Sequence, residues 1–219
     1  MPHLRVLLPI VLVAAIGMAP RQDQTVAPSA TELAARLQTR YESIRDFTAN
    51  FEQVTVGVLL KRPATERGTM SLKKPSRVRF TYQAPEKKEF VSDGSQFYSY
   101  FAENRTGSVS PLPKPGEEST ALLFLAGRGN LARDFTPSLP PDQPADAWHL
   151  KLVPKSRQAD FDTLTLFLDR RTLALKGFMT VDEQLTNTIR FSNLKENAGL
   201  SDQAFAFKFP KGTELIGGR

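Results

Sequence analysis

The first periodicity that predicts an element is a helical one. Ser29-Ala30-Thr31-Glu32 has the form of a capping box: the Ser29 hydroxyl can accept from the Glu32 amide, and the Glu32 carboxylate can reach back to the Ser29 amide. Leu33, Leu37, Tyr41 and Ile44 then fall on one stripe, predicting a helix that ends near Asp46 and needs a surface to cover. After that the period drops to two. Phe47, Ala49 and Phe51 alternate with polar neighbours, and beyond Gln53 the apolar phase moves to Val54, Val56, Val58 and Leu60, predicting a long strand with a bulge or bend. Thr69 to Lys73, Val78 to Tyr82 and Glu89 to Ser92 continue the strand pattern, and Asp93-Gly94 marks a tight hairpin before Phe97-Tyr98.

Two proline clusters divide the rest. Pro111, Pro113, Pro115 and Gly116 mark a loop, after which Ser119 is placed to cap a short helix from Thr120 to Ala126 with Gly127 as its stop. Its centre, Leu122-Leu123-Phe124-Leu125, is apolar all round, so it is either tucked into the core or lines something apolar. Beyond Pro137, Pro140, Pro141 and Pro144 come further strand patterns: Trp148 to Val153, Phe161 to Leu168, Leu173 to Val181, Thr188 to Leu194 and Phe205 to Phe209, with a turn at Asp169 to Thr172. No repeat at solenoid spacing and no second core are visible. Many sequential strands with few helices predict a mainly β chain, folded as one large curved antiparallel sheet or open barrel.

The amino terminus changes the picture of where the chain works. Residues 1–19 carry Arg5, an apolar run from Val6 to Ile16 and the small residues Gly17-Met18-Ala19, as an export signal does. A cut after Ala19 would leave Pro20 first, and a cut near Ala27 fits side-chain size equally; retention as an anchor is the other reading. The run is shorter than the roughly 20 apolar residues of a spanning helix. Residues 20–28 read as a leader, and 29–219 as a single domain.

Composition then narrows the chemistry. The 219 residues contain no cysteine, which excludes disulfides, thiolate metal sites, a cysteine nucleophile and an amino-terminal lipid anchor. Only His3 and His149 are present, too few for a multi-histidine metal site, and a catalytic triad would rest on His149 alone. Asp160 and Asp162 flank Phe161 on one strand face, as a metal or acid–base pair would, though solvent-facing alternation explains them as well. Gly127-Arg128-Gly129 lacks the continuation of a phosphate loop and reads as a helix terminator. The formal charge of +6 is modest; Lys73, Lys74, Arg77 and Arg79 beside Phe80 and Tyr82 imitate a nucleic-acid face, but export argues against that partner. No catalytic residue, metal or cofactor is expected.

The strings LKKPSRVRFTY (72–82), APEKKEFVSDGSQFYSY (84–100), LVPK (152–155) and FKFPKGTELI (207–216), with FTANFEQ (47–53) and IRFSNLKEN (189–197), occur in an order that resembles the LolA family of periplasmic lipoprotein carriers. The resemblance covers roughly residues 30–216. It implies an unclosed, strongly curved antiparallel β-barrel with a helical lid over a hydrophobic cavity. It further implies a periplasmic monomer that takes the acyl chains of triacylated lipoproteins from an inner-membrane ABC transporter to an outer-membrane acceptor.

In the family, a basic residue before a proline helps to hold the lid shut. Here that position is Lys74, a lysine where arginine is usual, so either the lid closes more weakly or Arg77 or Arg79 takes over part of the task. Candidate lining residues are Phe51, Met70, Leu72, Val78, Phe80, Phe97, Leu122, Phe124, Leu125, Leu166 and Phe178, chosen as large side chains on predicted strands or the short helix. Two other readings stand beside the carrier. One is an envelope sensor or adaptor of the same fold that binds a membrane protein; the other is a lipid or glycan hydrolase, for which the chain offers the least material.

Overall fold

The computed structural model describes residues 27–112, 126–127, 129–158 and 161–217. Residues 1–26, with the expected export signal and most of the expected leader, the expected helix from Thr120 except Ala126, and Arg128 and Asp160 lie outside the described residues; so do the candidate lining residues Leu122, Phe124 and Leu125. Helix α1 spans Ala30–Ser43, and its start is the expected capping box: Glu32 N donates to Ser29 Oγ at 3.2 Å and Ser29 N to Glu32 Oε2 at 2.8 Å. Leu33, Ala34 and Leu37 form its buried stripe.

Six strands follow in a meander: β1 (Asp46–Gly57), β2 (Ala64–Lys73), β3 (Arg77–Ala84), β4 (Lys88–Asp93), β5 (Gln96–Phe101) and β6 (Thr106–Pro111). After the short helix α2 (Leu131–Asp134) come β7 (Phe135–Ser138), β8 (Ala147–Pro154), β9 (Thr163–Asp169), β10 (Leu175–Val181) and β11 (Leu185–Glu196). A 3₁₀ turn (Asp202–Phe205) and β12 (Glu214–Leu215) end the fold. All twelve strands form one sheet in the order β12-β6-β5-β4-β3-β2-β1-β11-β10-β9-β8-β7. The two meanders are joined by the β1–β11 pair, β12 lies parallel to β6, and among the described residues β7 and β12 are the two edges of the sheet. This is the unclosed, mainly β architecture that the strand pattern predicts.

One core cluster contains Met70, Leu72, Val78 and Phe80 from the first meander and Trp148, Leu150, Leu152, Leu164 and Leu168 from the second. Residues at opposite ends of a sheet meet in one core only if the sheet curls onto itself, and α1 fills the space between its halves. Close packing needs a gap at Gly68: a Cβ there would lie 2.1 Å from Thr81 O and 2.9 Å from the Phe51 ring.

Three sequence expectations are corrected. β1 pairs with β2 without interruption from Asp46↔Lys73 to Thr55↔Ala64, so the bulge expected after Gln53 is absent; the irregular pairing lies instead between Thr48 and Asn50 against β11. The inner face simply turns polar at Gln53 and Thr55, while Val54 and Val56 take the outer face. Phe205–Phe209 is not a strand: after the 3₁₀ turn, Phe207 and Phe209 pack on Tyr98 of β5 with ring centroids 5.4 and 6.1 Å away. β7 was not expected because of Pro137, yet it is an edge strand, where a residue without an N–H is tolerated.

Candidate functional site

The inner face of the first meander is built by strand alternation. Pairing sets Ala49, Met70, Phe80 and Phe90 side by side, with Phe47, Leu72 and Val78 in the row nearer the β2–β3 turn. Between these and the far end runs a ladder of rings: Phe51–Phe80 at 5.0 Å, Phe51–Tyr82 at 4.9 Å, Tyr82–Phe90 at 5.7 Å and Phe90–Phe101 at 5.8 Å. From the second meander, Ile189, Phe178, Leu166 and Leu150 align in register across β11, β10, β9 and β8. Of the candidate lining residues, Phe51, Met70, Leu72, Val78, Phe80, Leu166 and Phe178 are therefore brought together in one buried cluster. Phe97 is half-buried at its margin, stacked on Phe90 at 6.4 Å.

Helix α1 closes this face. A small apolar cavity of about 30 Å³ remains beneath it, lined by Leu37, Tyr41, Ile44, Leu131, Leu166, Leu173 and Leu175. That is space for about one water molecule. An open, polar recess of about 550 Å³ lies elsewhere, around Arg157, Asp162, Asp182 and Glu183.

A few polar contacts hold α1 in place, and they converge on its last two turns. Lys74, in the β2–β3 turn, donates from Nζ to the Tyr41 carbonyl and lies over the Tyr41 ring, 3.6 Å from its centroid. Its stem crosses Gly127, where φ is +89° and a Cβ would come within 3.0 Å of Lys74 Cγ. Lys74 N donates to Arg45 O at 2.8 Å and Ser76 N to Ala126 O at 2.9 Å, so the same turn also grips residue 126. Burial pushes the Lys74 ammonium down to about 8, with Glu42 pulling the other way. On the other side of the helix, Arg40 Nη2 donates to both Glu196 carboxylate oxygens at 2.9 and 2.8 Å, and Arg40 Nε donates to Thr172 O at 2.7 Å. Gln38 Oε1 accepts from Leu131 N at 3.0 Å.

Arg77 and Arg79 do not share this task. They alternate with Val78 and Phe80, so they project from the opposite face, where Arg77 meets Asp202 at 3.2 Å and Arg79 meets Glu89 at 2.8 Å and Ala206 O at 2.6 Å. Lys73 also bonds Asp202, at 2.6 Å. Lys73, Arg77 and Arg79 thus fasten the 202–206 segment to the convex side, and Lys74 alone of the basic cluster turns to α1. His149 packs on Phe167 at 4.6 Å, and burial first, then Arg190, lowers its pKa. Among the described residues no group of three His, Asp or Glu side chains is placed to hold a metal.

Sequence reasoning missed Arg40, Gln38 and Glu196. They carry no local pattern, because each contact joins residues far apart in the chain.

The family model described as outer membrane lipoprotein carrier protein LolA matches residues 42–208. The chain belongs to the LolA family. An outer-membrane lipoprotein carrier protein of Legionella pneumophila is 30% identical over 183 residues, covering 82% of this chain and 87% of that protein. Another, from Chromohalobacter salexigens, is 27% identical over 191 residues, covering 87% and 89%. A crystal structure of an uncharacterized conserved protein from Thermus thermophilus shares the fold at a TM-score of 0.52 and 12% identity, over 85% of this chain and 98% of that one. Among the described residues no helix is long and apolar enough to cross a membrane.

Proposed function

We propose that this protein is a periplasmic carrier that holds the acyl chains of triacylated lipoproteins between α1 and the inner face of its sheet. It accepts them from an inner-membrane ABC transporter and gives them up to an outer-membrane acceptor. Membership of the lipoprotein carrier family over residues 42–208 is the observation that carries this reading. The site's physics supports it. Hiding an acyl chain from water gains about 0.8 kcal/mol per CH₂, and the buried inner face offers apolar and aromatic contact across both meanders.

The present space of about 30 Å³ cannot take such a chain, so loading requires α1 to lift. The helix is held by contacts that can break one at a time: Lys74 to the Tyr41 carbonyl, Arg40 to Glu196 and Thr172, and Gln38 to Leu131. A lid fastened by hydrogen bonds at its rim and by apolar contacts beneath can exchange the latter for acyl contacts. Lys74 is the latch in this scheme, and Phe51, Met70, Leu72, Val78, Phe80, Phe97, Leu166 and Phe178 are the wall that lifting exposes.

Native mass spectrometry of the exported protein, with and without a triacylated lipoprotein, tests the proposal. A stoichiometric complex that forms with the acylated lipoprotein and not with its deacylated form is expected. Absence of a complex, under conditions where an established carrier of the family forms one, overturns it.

A further inference from the structure

At the end of β1 away from α1, apolar side chains face water. The strand leaves the sheet at Gly57, and Val58 and Leu59 at the tip of the β1–β2 hairpin are 82% and 90% exposed. Val56 on the outer face and Leu60 are 49% and 43% exposed. The tip has a defined shape. Val58 N donates to Gln184 O at 3.1 Å and Leu60 N to Gly57 O at 3.1 Å. Gly57 abuts Leu185, since a Cβ there would fall 2.6 Å from Leu185 Cδ2. Leu60 and Leu185 thus form a base on which Val58 and Leu59 stand out.

Directly behind the tip come Lys61 and Arg62, both exposed and, among the described residues, in no ion pair. The adjoining β10–β11 turn carries Asp182 and Glu183. Asp182 is folded onto its own turn, accepting from Gln184 N and Leu185 N at 2.7 Å each. Glu183 is exposed to water.

Contiguous exposed apolar side chains on a monomer mark an interaction site. A narrow, convex tip with apolar side chains on several sides suits a fluid apolar phase better than a flat protein surface. The cationic pair behind it suits the phosphates that border that phase. We infer that the 57–62 tip inserts into a lipid bilayer bearing anionic headgroups, with Val58 and Leu59 below the headgroups and Lys61 and Arg62 among the phosphates. The inference does not depend on the cargo, and its test uses cargo-free protein, so its failure would leave the carrier reading standing.

The absence of cysteine makes a site-resolved test direct. The exported protein carrying Leu59→Cys is labelled with an environment-sensitive fluorophore and mixed with vesicles of phosphatidylethanolamine and phosphatidylglycerol. Ala35→Cys, on the exposed face of α1, is the control. The label at 59 is expected to brighten and to be quenched by a lipid-borne quencher, while the label at 35 stays unchanged. In sedimentation with the same vesicles, Val58→Asp with Leu59→Asp lowers binding at least about tenfold while circular dichroism stays that of the parent. Lys61→Glu with Arg62→Glu lowers it on these vesicles by about tenfold or more, and far less on phosphatidylcholine vesicles. An equal response at 59 and 35, or a response at 59 to a protein partner but not to vesicles, overturns the inference.

Discussion

The two ends of β1 are built on opposite plans. At the Asp46 end, Phe47, Ala49 and Phe51 are buried inside, α1 lies over them, and the polar groups are paired: Gly199 N donates to Asp46 Oδ1 at 3.0 Å, and Lys74 N to Arg45 O at 2.8 Å. At the Gly57 end, the inner face carries Gln53 and Thr55, both hydrogen-bonded to Asn187, and Tyr82 donates to Gln53 at 2.7 Å. There the apolar side chains turn outward and end in the exposed tip. One strand thus changes which face is apolar halfway along, without a change of register against β2. The lesson is that the apolar interior is confined to the α1 end, and its closure depends on the helix, while the far end is sealed by polar side chains.

If that division is right, a core substitution near α1 carries the largest effect. Phe80→Ala is expected to cost about 3–5 kcal/mol of stability in urea unfolding; a cost near that of a surface change would mean the inner face is loosely packed. The helix fastening comes next. Arg40→Ala is expected to cost about 1–3 kcal/mol and to speed amide exchange in α1. A double-mutant cycle with Glu196→Ala should assign most of that loss to the pair.

Lys74 gives a pH signature at the same end. Its folded-state pKa of about 8 is below the ordinary 10.5, so between those values the unfolded chain holds a proton that the folded chain has released. Stability therefore rises with pH from about 8 upward and is flat below. Burial raises the pKa of Tyr41 and of Tyr82, and above the ordinary tyrosine value of 10 this works in the opposite direction. Melting temperatures taken from pH 8 to 10 should rise in the parent and stay level in Lys74→Leu; parallel curves would remove Lys74 from the closure. The smallest effect on folding is expected at the other end, where Val58→Asp with Leu59→Asp should change stability by no more than about 0.5 kcal/mol. A larger loss would show that the tip is part of the core.

Much of this fold is legible in the sequence because its elements are locally periodic. The capping box and the Leu33–Leu37–Tyr41–Ile44 stripe place α1, and alternation places most strands. By the same alternation, if Val78 and Phe80 line the interior, Arg77 and Arg79 leave by the other face. The phase change after Gln53 was visible too, but a bulge and an exposed apolar tip produce the same string, and only pairing with β2 separates them. Phe207 and Phe209 alternate like a strand because they dock on a sheet face rather than pair at its edge. Of the contacts that hold α1, Lys74 is pointed to by the resemblance alone, and the Arg40–Glu196 pair is not legible, since those two residues are brought together only by the β1–β11 pairing.

Entry of acyl chains where α1 now lies is the step on which the proposed carrier role turns. Hydrogen–deuterium exchange of the exported protein, alone and saturated with a triacylated lipoprotein, tests it most directly. Faster exchange on loading is expected at the α1 amides and at Lys74 and Ser76, whose backbone donors grip Arg45 and Ala126 in the closed form, with the 57–62 tip unchanged. A loaded complex in which α1, Lys74 and Ser76 keep the exchange rates of the empty protein would contradict it.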